Sequence, residues 1–106
     1  MRSYLFLGAV WKHDLYAIGG NDEDFDKSGG QGFEDKWLSD CLVKGRGLTP
    51  IFAGEVIGYH MFHQSRVSDE KNRINRKLYL KKRDEANRTG QWIAASGLLM
   101  EERISA

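Results

Sequence analysis

The sequence predicts an α/β fold, a small mixed β-sheet packed with three to four helices, in a single domain spanning residues 1–106. Three observations predict it. Short apolar runs rich in aromatic and β-branched residues recur at Ser3–Val10, Leu48–Ala53 and Glu55–Phe62, and such runs read as strands. Between and after them lie segments with apolar residues at helical spacing, bounded by helix start and stop signals. The chain is 41% hydrophobic and 29% charged, the balance of a globular domain with one modest core.

The elements follow in order. Trp11, Leu15 and Ile18 share one helical face, and Gly19-Gly20 stops that helix. Asn21 to Gln31 is polar and glycine-rich, offers no packing face and reads as a loop. From Phe33 to Lys44 the apolar residues Phe33, Trp37, Leu38, Cys41 and Leu42 line one side of a second helix, which Gly45 ends. Glu34 and Asp35 stand in its first turn, where carboxylates interact favourably with the helix dipole. Pro50 makes Leu48–Ala53 an edge or irregular strand. Ser68 caps a long helix through Arg88, with Gly90 as its stop and a narrow docking face of Ile74, Leu78 and Tyr79. Trp92 to Ile104 reads as a further amphipathic helix, weakened by Ala94-Ala95-Ser96-Gly97.

Composition excludes some classes. A formal net charge of +1 points to no partner by bulk charge, and no apolar run approaches the ~20 residues of a membrane span. A short apolar start interrupted by Lys12, His13 and Asp14 does not read as a cleaved signal, so the cytoplasm is the expected location. Cys41, the one cysteine, sits among Trp37, Leu38 and Leu42 and reads as a buried thiol.

Two constellations carry candidate chemistry: Ile18-Gly-Gly-Asn-Asp-Glu-Asp-Phe25 followed by Gly32-Phe33-Glu34-Asp35, and Gly58-Tyr59-His60-Met61-Phe62-His63. In order and spacing they resemble the acceptor-side half of a GT-A glycosyltransferase of the family 2 type, similar to the galactosyltransferase C-terminal domain. There an "IGGFDEDF" turn precedes "GWGFED", and a histidine follows on a later strand. The resemblance implies the C-terminal part of a GT-A type fold, with the nucleotide-binding half absent. It also implies inverting transfer of a sugar from a nucleotide-diphosphate donor to a saccharide hydroxyl.

Carried over residue by residue, Asp35 is the general base and Glu34 the acceptor contact. Asp22, Gly32 and Phe33 shape the acceptor pocket. Shielding by Phe33 and Trp37 is expected to lift the base's pKa toward a useful range. His60, with His63 as the alternative or as a phosphate contact, is the expected ligand for a divalent metal, Mn2+ or Mg2+, on the leaving diphosphate. Alternation along a strand puts residues three apart on opposite faces, so a regular strand would offer one of the two. Arg66, Arg73 and Lys77 are the expected donor contacts. Gln31 stands where the family carries tryptophan, and Asn21 where it carries phenylalanine, which leaves the acceptor open. Expected partners are a nucleotide-sugar, a saccharide, a separate nucleotide-binding half and a second copy of the chain meeting an uncovered apolar face.

Two rival readings remain. Asp24, Asp26, Ser28, Gly29 and Asp35 match positions of a calcium loop, without its usual apolar residue or terminal glutamate. Residues 66–88 hold nine Lys or Arg against four acids, a net of +5, while 21–35 carries −5. A non-catalytic module binding protein or nucleic acid through that basic helix is the alternative function.

Overall fold

The computed structural model describes residues 8–59 and 68–95. Among these the protein is 54% helix and has no strand, so the expected α/β fold with a mixed sheet is corrected to a helical one. The elements are α1 (Lys12–Ala17), α2 (Asp24–Lys27), α3 (Glu34–Asp40) running into a π-helical turn (Cys41–Gly45), and α4 (Asp69–Thr89).

Where the described residues cover the expected strands, no strand forms, for a common physical reason. A strand is stable when a neighbour pairs its backbone and one face is buried. Over 48–59 the side chains of Ile51, Phe52 and Tyr59 are about nine-tenths exposed, and the backbone bonds there are Leu48 to Leu42 and a turn from Val56 to Ala53. Pro50 also removes a donor. Residues 8–10 are exposed and irregular; the rest of the first expected strand and 60–62 of the third lie outside the described residues.

The expected helix from Trp92 is likewise not helical over 92–95. Gly90, at φ +77°, terminates α4, and the chain continues extended. Trp92 and Ala94 point inward while Ile93 and Ala95 face out, a period of two. This segment docks on the turn after α1: Ala94 N donates to Ile18 O at 2.7 Å and Glu23 N to Ala95 O at 2.7 Å. Gly19 leaves the necessary room, since a Cβ there would lie 2.8 Å from the Ala94 carbonyl oxygen. Residues 96–104 lie outside the described residues.

The helices form for the reasons the sequence offers. Ser68 Oγ accepts from Lys71 N at 3.1 Å, capping α4, and Asp69 and Glu70 occupy its first turn. The core gathers Ile18, Phe25, Trp37, Cys41, Leu42, Tyr79, Ala86 and Trp92. Trp37 lies 5.7 Å from Trp92 and meets Tyr79 edge-on at 6.3 Å. The buried stripe of α4 is Asn75, Tyr79 and Ala86; Leu78 is half-buried, and Ile74 is 39% exposed, so the docking face is turned by one residue from the sequence reading.

Tyr79 donates its hydroxyl to Asp40 Oδ2 at 2.6 Å, and both residues are buried. Burial, then the Asp40 bond, pushes the Tyr79 phenol up to about 12. Burial, then the fields of Asp22 and Asp40, pushes the Cys41 thiol from 9.0 up to about 12. Burial lowers the Lys82 ammonium, but its bonds to Asp24 and Asp22 outweigh that and leave it above its ordinary 10.5. All three groups hold their protons longer folded than unfolded. Their stability contribution is therefore complete below the unfolded values and is lost as pH rises through the folded ones. Through these groups, urea midpoints should fall as the pH rises between about 9 and about 12. Tyr79→Phe removes the one described donor to Asp40, whose Oδ1 is buried without a partner, and should cost about 1–3 kcal/mol in denaturant unfolding at neutral pH.

Candidate functional site

The acid loop between α1 and α3 is built around Asp22. Its side chain is 0% exposed: Oδ1 accepts from Asp24 N at 2.9 Å, and Oδ2 accepts from Ala95 N at 3.1 Å and meets Lys82 Nζ at 3.0 Å. The same ammonium bonds Asp24 Oδ2 at 2.8 Å. Two carboxylates therefore share one cation from α4, and the loop is tied to both the long helix and the extended 92–95 segment. Asp22, expected to shape the pocket, sits in the floor of the turn.

Asn75 holds the second half of the loop. It is 1% exposed, its Nδ2 donates to Gly32 O at 2.8 Å and Phe25 O at 3.3 Å, and its Oδ1 accepts from Ser28 Oγ. Ser28 Oγ in turn accepts from Gly30 N at 3.0 Å. Gln31 N donates to Lys71 O at 3.0 Å, closing the loop onto the first turn of α4. Gly30 has no room for a side chain, because a Cβ would stand 2.6 Å from Asn75 Oδ1 and 2.7 Å from Lys71 O.

Phe33 then turns the chain into α3 with φ +70°, the one positive-φ residue other than glycine among those described. Such a backbone is strained by roughly 1–2 kcal/mol and persists when its surroundings hold it. Its ring is 5.5 Å from Tyr79, and Lys36 Nζ lies 4.6 Å above it. The turn delivers Glu34 and Asp35 as the first two residues of α3, both exposed. Glu34 lines an open depression of about 400 Å³ with Asp26, Gln31 and Asn75, floored by Phe25 and the glycines at 30 and 32. Asp35 is beside it on the same helical turn, its Oδ1 accepting from Lys36 N at 2.9 Å. It is exposed, where the sequence reading had it shielded by Phe33 and Trp37.

The structure thus brings together Asp22, Gly32, Phe33, Glu34 and Asp35 around one loop. It does not bring Arg73 and Lys77 to them. Both are exposed, and at 100° per residue each lies about 200° around α4 from Asn75, on the far face. His60, His63 and Arg66 lie outside the described residues. Among the described residues no three His, Cys, Asp or Glu form a metal-holding group. The calcium-loop positions are engaged otherwise: Asp24 and Asp26 belong to α2, Asp24 is held by Lys82, and Ser28 is bonded to Asn75.

Asn75 and Lys82 are the residues that sequence reasoning missed. Their signal is their spacing: 75, 79, 82 and 86 form one stripe at helical period, and two polar members of a buried stripe imply buried polar partners. No protein-family model, curated protein or solved structure matches the chain.

Gly30→Ala should lower the thermal midpoint by an amount corresponding to about 1–3 kcal/mol, the usual cost of forcing atoms into a filled space. Gly47→Ala should cost less, because φ +72° strains it but no atom lies within 4 Å of the added Cβ. Differential scanning calorimetry of the two variants checks the order.

Proposed function

We propose that this chain supplies the acceptor-binding and base-supplying part of an inverting sugar transferase. The observation that carries the reading is the placement of two consecutive carboxylates, Glu34 and Asp35, at the exposed start of α3. One lines the depression and the other stands next to it, and both are oriented by a loop locked to α4. Asp26, Gln31 and Glu34 offer polar side chains along the depression, a lining that suits the hydroxyl edges of a saccharide.

The chemistry follows from the acids. The Glu34 carboxylate accepts a hydrogen bond from an acceptor hydroxyl in the depression and orients it. The Asp35 carboxylate takes the proton of the attacking hydroxyl as its oxygen bonds to the anomeric carbon and the nucleoside diphosphate departs from the opposite side with the bonding pair. Attack opposite the leaving group inverts that carbon. The nucleotide-binding half and the Mn2+ or Mg2+ ion, with His60 or His63 as ligand, rest on the sequence resemblance alone. Among the described residues no metal-holding group is present.

The test is transfer of labelled sugar from nucleotide-diphosphate donors to an oligosaccharide panel, by the chain with an added nucleotide-binding half. Asp35→Asn should reduce turnover by about 10²–10⁴-fold with little change in acceptor KM. Glu34→Gln should raise that KM. Full turnover by Asp35→Asn would contradict the assignment, as would saccharides that leave the amide NMR signals of Gln31 and Glu34 unmoved.

A further inference from the structure

We propose that the outward face of α4 is a docking surface for the phosphate backbone of a nucleic acid, independent of the sugar-transfer reading. From Lys71 to Arg83 the helix contains no acid. Lys82 is consumed by Asp22 and Asp24, and Arg83 lies over the Tyr79 ring. Arg73, Lys77 and Lys81 follow one another at four-residue spacing, all exposed, on one stripe of about 12 Å, with Arg76 exposed beside them. Like charges at that spacing repel and weaken a helix. Glu70 and Asp84 stand three residues outside the two end cations, and none of the three cations takes part in a described ion pair. An anionic partner bridging the stripe would relieve the repulsion at its centre.

The geometry selects the partner. Glu70 and Asp84 share the outward face and bracket the three cations, so acids stand at both ends of the basic stripe. A flat anionic membrane would press on those carboxylates as well. It would also find little to insert, because Ile74, at 39% exposure, is the apolar side chain there, and membrane-surface helices carry a broad apolar face. A nucleic-acid strand crossing the helix axis meets the central cations and clears both ends. The opposite face of α4 is packed on the core, so the outward cations are what a strand meets, and long basic side chains of this kind contact phosphates. Arginine and lysine both suit that contact, and it carries no base preference. The exposed acids Asp26, Glu34 and Asp35 lie toward the Asn75 side, so the charge of the chain is polarised and would orient the approach.

The test is fluorescence anisotropy of a labelled mixed-sequence DNA duplex, titrated with the full chain across a range of salt concentrations. The chain should bind at low salt and lose affinity as salt rises. Arg73→Gln with Lys77→Gln and Lys81→Gln should weaken binding at least tenfold and flatten the slope of log K against log salt by about 3, near 0.9 per phosphate contact. Glutamine is a good helix former, and circular dichroism should show α4 intact. Asp35→Asn, which lies off this surface, should bind duplex as the parent does, so failure of the transferase reading leaves this one standing. Absence of duplex binding, equal binding by the triple variant, or tighter binding to phosphatidylserine vesicles or polyglutamate than to duplex would each overturn the proposal.

Discussion

Burying an amide in the middle of a helix is favourable when its hydrogen-bonding groups are all used, and Asn75 uses its own on three parts of one loop. It donates to the carbonyls of Phe25 and Gly32 and accepts from the Ser28 hydroxyl, in a site where it is 1% exposed. Seven residues further along α4, Lys82 fixes the start of the same loop by pairing with Asp22 and Asp24. Most of the site's geometry follows from these two anchors. The position of Gly30, the left-handed turn at Phe33 and the presentation of Glu34 and Asp35 all depend on where the loop is held. The apolar core beneath them stabilises the fold without dictating that shape.

The helices were legible in the sequence where their ends were written in local chemistry. Ser68 and Gly90 bound α4 as cap and stop, and Trp11 to Ile18 and Phe33 to Lys44 yield α1 and α3 with its π-helical continuation. Strands were misread because strand formation depends on a partner that composition does not reveal. Ile51, Phe52, Val56 and Ile57 have strand-forming side chains, yet the described residues place no neighbour beside them. Trp92 to Ala95 was read as helix because its period of two was too short to stand out against Gly90 and the alanines. Of the site, the carboxylates and glycines were visible as a motif. Asn75 and Lys82 were not, because a polar residue inside a helix looks like solvated surface until its partners some fifty residues away in sequence are known.

Charge is segregated by face across α4. Its inner side spends one cation on the acid loop, and its outer side displays Arg73, Lys77 and Lys81, which take part in none of the described ion pairs. The exposed carboxylates gather at the start of α3, beside a depression lined by Asp26, Gln31 and the glycines at 30 and 32. An account based on net charge alone, +1 for the whole chain, would miss this division. It follows from helical periodicity, which sends Asn75 and Lys82 one way and Arg73, Lys77 and Lys81 the other.

The central claim is that α4 sets the shape of the acid loop through Asn75, and amide hydrogen exchange on Asn75→Leu tests it most directly. In the parent, Gly30 N and Gln31 N are bonded to Ser28 Oγ and Lys71 O and should exchange slowly. In the variant, those amides should exchange at least about tenfold faster, while amides in the interior of α4 and around Trp37 keep most of their protection. Unchanged exchange at Gly30 and Gln31 would show that the loop holds its shape without Asn75 and would contradict the account.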